Sequence, residues 1–179
     1  MPGISDTIST YIRAKDGNRP WLMRLAFAKN ARLEMIVNTD AIAFPSAATG
    51  VDEISEILVR RFSCDNENVY TFCLTSPPNG YHPKFSCDWL VGMSSRENGD
   101  IRVGCGRYDW SFSDPKEMIA DDLKITIEAM YTIDSEHLWP VMNWLSELPY
   151  PWCAAKAAVQ TLPGLDELTP ISEFLQRNV

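Results

Sequence analysis

The sequence predicts an α+β domain in which three helices precede a strongly curved antiparallel sheet, followed by a helical C-terminal extension. Three observations carry this. Apolar residues recur at helical spacing as far as Phe62 and then alternate with period two from Val69 onward. The stretch Ile101–Phe112 (IRVGCGRYDWSF) places Tyr108, Trp110 and Phe112 on one face of a strand, with Arg107, Asp109 and Ser111 on the other. Gly104 and Gly106 interrupt the same strand, where a glycine marks a bend or a close approach. An aromatic face on a bent sheet needs a helix or a ligand to cover it.

Composition narrows the partners. The 179 residues suffice for one substantial core, and 45% hydrophobic with 22% charged residues is ordinary for a globular chain. A net charge of −8 and scattered lysines and arginines argue against nucleic acid or an anionic membrane as a partner. Met1–Thr10 has neither a basic nor an apolar leader segment, and no apolar run approaches a bilayer span. Five separated cysteines (Cys64, Cys73, Cys87, Cys105, Cys153) without a C-x-x-C pair favour reduced thiols and a cytoplasmic setting.

The elements follow in order. Helical spacing covers Thr7–Lys15, and Asp16-Gly17-Asn18 breaks it. Pro20 opens a second helix, Trp21–Asn30, through Leu22, Leu25 and Ala26. Leu33–Val37 and Ala41–Phe44 read as one broken strand, and Pro45–Gly50 as a loop. Asp52–Phe62 is the third helix. Strands are expected over Val69–Ser76, Phe85–Ser95, Ile101–Phe112 and Leu123–Ile133, the last with Leu123, Ile125, Ile127, Ala129, Tyr131 and Ile133 on one face. The turn Pro77-Pro78-Asn79-Gly80 separates the first two, because proline fixes φ and Asn-Gly accepts positive φ. Beyond Trp139, Pro140, Pro149, Pro151, Pro163 and Pro170 punctuate three short helical pieces. Trp144 and Trp152 make this tail too apolar for a free linker. The expected division is residues 1–139 as the main domain and 140–179 as an extension packed on it, acting as a lid or a dimer-facing element.

The order helix, helix, short strand, helix and curved meander resembles the nuclear-transport-factor-2-like superfamily, also called SnoaL-like or cystatin-like. Leu25–Ala31 (LAFAKNA) resembles its junction between second helix and first strand, and Thr49–Ile54 (TGVDEI) resembles the opening of its third helix. Phe62 closes that helix in the same manner, and the resemblance spans Thr7 to Ile133. It implies a sheet wrapped around the N-terminal helices as a cone with an apolar internal pocket, and a homodimer through the outer sheet face. Members include isomerases, dehydratases, hydrolases and non-catalytic binding modules, so the fold does not choose a function. Aligned without gaps on Phe27-Ala28, Tyr11 matches the oxyanion-hole tyrosine of ketosteroid isomerases, and Met35 falls where their catalytic base stands. Methionine cannot take up a proton.

Three residues are candidates for chemistry. Tyr11 is a candidate oxyanion donor, or else an aromatic on the buried side of its helix. Asp40, near the expected cone mouth, is a candidate base, or else part of a solvated turn. Asp109 is a candidate carboxylate between two aromatics, although alternation points it away from Tyr108 and Trp110 toward Arg107. Trp21, Trp89, Tyr108, Trp110 and Phe112 are the candidate ligand-binding residues. His82 and His137 have no neighbours at metal-ligand spacing, and no phosphate loop or dinucleotide fingerprint occurs, so neither a metal nor a cofactor is expected. The function expected is binding of a small apolar molecule in the pocket, with two outcomes open: cofactor-independent lyase, isomerase or hydrolase chemistry using a tyrosine and a carboxylate, or a non-catalytic binding or assembly module.

Overall fold

The computed structural model describes residues 3–177 and 179. Helix α1 (Ile4–Asp16) buries Ile4, Ile8, Tyr11, Ile12 and Lys15 along one stripe. The Asp6 carboxylate accepts the Gly3 N–H at 2.8 Å and places negative charge at the positive end of the helix. A 3-10 turn (Pro20–Leu22) leads into α2 (Met23–Ala26). The helix expected through Asn30 therefore stops at Ala26, and Phe27 starts strand β1 (Phe27–Val37). Tertiary pairing outweighs helical propensity here. Phe27 sits opposite Ala120 in the sheet and stacks on Trp110 with centroids 5.7 Å apart.

The broken strand expected over 33–44 is also corrected. Its second half is an irregular segment, and the antiparallel partner of β1 is β2 (Ala47–Thr49), inside the stretch expected to be a loop. One helical run then covers α3 (Val51–Ser55), a π-helical segment (Glu56–Arg61) and α4 (Phe62–Asp65).

Strands β3 (Asn66–Cys73), β4 (Lys84–Ser95), β5 (Ile101–Ser111) and β6 (Ala120–Ile133) make the meander. The six strands form one open sheet in the order β2-β1-β6-β5-β4-β3. All pairs are antiparallel except β1–β6, which is parallel, so the sheet is mixed. Cys105 faces Ala129 while Gly106 faces Ile127, leaving Glu128 as an extra residue in β6. This bulge switches the faces. Leu123, Ile125 and Ile127 point to the concave core together with Met130, whereas Ala129, Tyr131 and Ile133 join the convex one. The single-faced row expected for β6 is thus split at Glu128.

Two apolar cores result. The concave face packs on α1, α2 and the helical run. The convex face, through Phe72, Leu90, Ile101, Val103 and Cys105, is covered by α5 (Leu138–Glu147), α6 (Ala155–Gln160) and α7 (Thr169–Gln176). Leu145 of α5 seats directly over Gly92, where a Cβ would collide with it. Between α5 and α6 the chain runs along the edge of β3. The Cys73 N–H donates to the Pro151 carbonyl (2.7 Å) and the Cys153 N–H to the Cys73 carbonyl (2.9 Å). No helix among the described residues is long and apolar enough to cross a membrane.

Candidate functional site

The concave face and α1 line an apolar cavity of about 50 Å³. That is room for roughly three or four waters, or a fragment of a small ligand. Its walls are Met35 of β1, Leu58 and Phe62 of the helical run, Trp89, Val91 and Met93 of β4, Tyr108 of β5, and Ile125, Ile127 and Met130 of β6. Ile42 and Phe44, from the irregular segment after β1, close the wide end. Gly106 creates part of this shape. A Cβ there would collide with the Thr126 carbonyl oxygen of β6 and lie 2.6 Å from the Trp89 ring, so the position requires glycine.

Polar groups reach the cavity from one side. Tyr11 and Lys15, one turn apart on α1, face Tyr108 and Thr71. The Tyr11 and Tyr108 rings meet edge to face at 5.9 Å. Burial pushes the Tyr11 hydroxyl far above the ordinary tyrosine range, although a hydrogen bond with Tyr108 pulls the other way. Tyr108 is raised first by burial and then by the proximity of Tyr11. Both remain protonated at neutral pH and act as hydroxyl donors, not as bases.

Behind them lies a buried ion pair. Lys15 Nζ is 2.9 Å from Asp16 Oδ1 and donates to Thr71 Oγ1 at 2.7 Å, and it lies 4.8 Å above the centre of the Phe62 ring. Asp16 also accepts from the Thr71 backbone N–H, the Thr71 hydroxyl and the Tyr150 hydroxyl, each at 2.8 Å. Four donors saturate this carboxylate, which suits it to hold Lys15 rather than to take a proton from a ligand.

The expected site residues separate. Tyr11, Trp89 and Tyr108 line the cavity. Trp110 and Phe112 are buried beneath it, stacked on each other with centroids 6.1 Å apart, and belong to the packed floor. Trp21 is 66% exposed on the outside of the helices and does not reach the cavity. Asp40 is exposed at the rim, in a polar depression outside Ile42 and Phe44. Asp109 lies on the convex face, where the Ser86 hydroxyl donates to it at 2.6 Å and Arg107 sits at 3.4 Å. The strand alternation that turns Tyr108 inward turns Asp109 out. Asp88 and Glu128 likewise face arginines on that side, Arg107 and Arg177.

Sequence reasoning missed Lys15, Asp16 and Thr71. Lys15 falls four residues after Tyr11 on the buried stripe, inside the helix expected over Thr7–Lys15, so helical periodicity could have found it. Nothing local in the sequence shows that Asp16, expected to be a helix breaker, is buried beside Thr71. Among the described residues there is no group of three or more His, Cys, Asp or Glu placed to hold a metal. Two isolated indole N–H groups, Trp89 Nε1 and Trp110 Nε1, are buried without partners.

No protein-family model matches the sequence, and no curated protein is significantly similar to it. Solved structures are. A nuclear transport factor 2 superfamily protein from Salmonella enterica serovar Typhimurium superposes with a TM-score of 0.55 at 16% identity, covering 70% of this chain and 89% of its own. A hypothetical protein with a ketosteroid isomerase-like fold from Catenulispora acidiphila, in complex with trimethylamine, gives 0.52 at 13% identity, covering 67% and 83%. A computationally designed 17-OHP binder gives 0.50 at 11% identity, covering 66% and 88%. The concave sheet on three helical elements, its strand order and these superpositions agree: the chain has the nuclear-transport-factor-2-like fold.

Proposed function

We propose that this protein binds a small, mostly apolar molecule inside the cone, with the Tyr11 hydroxyl, itself held by donation from Tyr108, supplied to one polar atom of it. The observation that carries this reading is the make-up of the cavity: fifteen lining residues include the donors Tyr11, Lys15, Thr71, Trp89 and Tyr108 but no carboxylate. A donor that is dry and preoriented holds a carbonyl or hydroxyl oxygen well, while proton abstraction needs a base. Two proteins of the same fold are small-molecule binders, one in complex with trimethylamine and one designed to bind 17-OHP, in keeping with a binding role for this fold. Xenon is the test of the chamber itself, since apolar cavities of modest size bind it. Under xenon pressure, methyl signals of Ile125, Ile127 and Met130 are expected to shift, and Met93→Trp, which fills the space, is expected to abolish the shift. Unperturbed methyl signals in the wild-type protein would refute the reading.

The catalytic reading keeps one supporting observation, the position of Asp40 at the rim beyond Ile42 and Phe44. In that scheme Tyr11 stabilises an oxyanion and Asp40 accepts the proton. Accelerated deuterium wash-in to 2-butanone, lost in Asp40→Asn, is its expected signature; no acceleration over buffer removes it. The cytoplasmic setting remains our proposal from the thiols, all five of which are unbonded. The homodimer through the sheet is also retained as a proposal, and its available surface is the strip left uncovered by the tail, carrying Arg32, Ser86, Arg107, Asp109 and Lys124.

A further inference from the structure

The wide end of the chamber leads somewhere specific. Ile42, Phe44 and Phe62 line both the apolar cavity and a polar depression outside it of about 520 Å³. Two guanidinium groups border that depression, Arg61 from the helical run and Arg102 from β5. Arg102 belongs to the concave-facing series that continues through Gly104, Gly106 and Tyr108. It is half-buried, yet its one hydrogen bond among the described residues is long, Nη1 to Asn66 Oδ1 at 3.5 Å. Asn66 is itself buried and held by donation from Nδ2 to the Phe62 carbonyl at 3.0 Å, so it orients the guanidinium without satisfying it. Among the described residues Arg102 has no carboxylate partner, and Arg61 has only Glu56, at 3.7 Å. A guanidinium offers five N–H donors in a planar fork matched to an oxyanion.

The depression also contains Asp40 and Asp65. Two arginines and two aspartates leave it without net charge. It therefore favours one monoanion in the Arg102 fork over a doubly charged phosphate, which the aspartates would repel.

We propose that the ligand of the cone is a carboxylic acid with a short, mostly apolar body: the body passes Ile42 and Phe44 into the chamber, where any polar atom it carries meets Tyr11, and the carboxylate rests on Arg102 with Arg61 beside it. This rests on the reading of the cone as a ligand chamber. It differs in placing the specificity at the rim, on a residue outside the Tyr11–Tyr108 pair.

The test is a titration followed by amide and methyl spectra, using hexanoate, 1-hexanol and hexylammonium as probes. Hexanoate is expected to bind about tenfold tighter than 1-hexanol, the scale of one good charge-assisted contact, and hexylammonium weakest. Arg102→Gln should bring hexanoate to the level of 1-hexanol and leave 1-hexanol unchanged, whereas Asp40→Asn should tighten hexanoate. Should Arg102→Gln fail to fold, the exposed Arg61→Gln is expected to weaken hexanoate selectively by a smaller factor. Equal affinity for hexanoate and 1-hexanol, or arginine variants that change neither, would overturn the acid assignment while leaving the chamber intact. If no probe shifts the chamber signals, the chamber reading fails and the acid assignment with it.

Discussion

Replacing Asp16 by asparagine is the most informative single change to the scaffold. The substitution keeps the shape of the side chain but removes the charge that faces Lys15. The side chains of Lys15 and Asp16 are only 8% and 5% exposed, so the ammonium cannot turn to water without leaving its place between Phe62 and Thr71. Removing one partner of a buried pair costs about 3–5 kcal/mol, because the remaining charge stays desolvated. For a chain of this size about 2–4 °C of Tm is lost per kcal/mol, so a drop of about 6–20 °C is expected. Lys15→Met is the control. It leaves the Asp16 carboxylate with the Thr71 N–H, the Thr71 hydroxyl and the Tyr150 hydroxyl, and the methionine stem fills the same apolar channel. Its cost should be smaller, about 1–2 kcal/mol. Thermal and urea unfolding of the two variants measure both. If Lys15→Met costs as much as Asp16→Asn, the account of Asp16 as the saturated anchor of a buried cation is wrong.

Two further predictions follow from charge and surface. Tyr11, Tyr108 and Cys73 are raised chiefly by burial, and Cys105 is pushed from 9.0 to about 12 by the same cause. Above the ordinary pKa of each group the unfolded chain has lost a proton that the fold retains, so stability is intact below about pH 8 and falls as pH rises beyond 9. Melting curves that hold the same Tm from pH 8 to 11 would contradict this. Sedimentation from micromolar to near-millimolar concentration tests the sheet-mediated homodimer, which predicts a rising mass; a species of single-chain mass throughout refutes it, and Asp109→Lys should weaken any association found.

Sequence patterning reached the architecture because long-range burial repeats a local signal many times. The aromatic series Tyr108, Trp110 and Phe112 on β5, the apolar stripe of α1 and the turn after β3 each state their own period, and the structure obeys them. It failed where a single tertiary partner decides. Phe27 leaves the helix because Ala120 and Trp110 await it, and β6 changes face because Glu128 is one residue too many opposite β5. The site was half legible for the same reason. The inward placing of Tyr11, Trp89 and Tyr108 follows from periodicity, but Lys15 and Asp16 meet Thr71 across 55 or more residues, and the setting of Arg102 depends on which of the described carboxylates do not reach it.

The clasp between α1 and the segment that joins α5 to α6 has a consequence for synthesis. Tyr150 donates to Asp16 across 134 residues, and Trp152 donates to Ser9 at 2.9 Å across 143. The first helix leaves the ribosome early and meets Thr71 with β3, yet Tyr150 and Trp152 emerge only after every strand of the sheet. Until then the edge of β3 lacks the Pro151 and Cys153 backbone, and the convex face lacks Trp144 and Leu145. A nascent cone of this design presents an unpaired strand edge beside an apolar sheet surface, the combination that recruits chaperones or neighbouring chains. The stretch from Trp144 to Cys153 therefore decides when the edge of β3 and the convex face are covered.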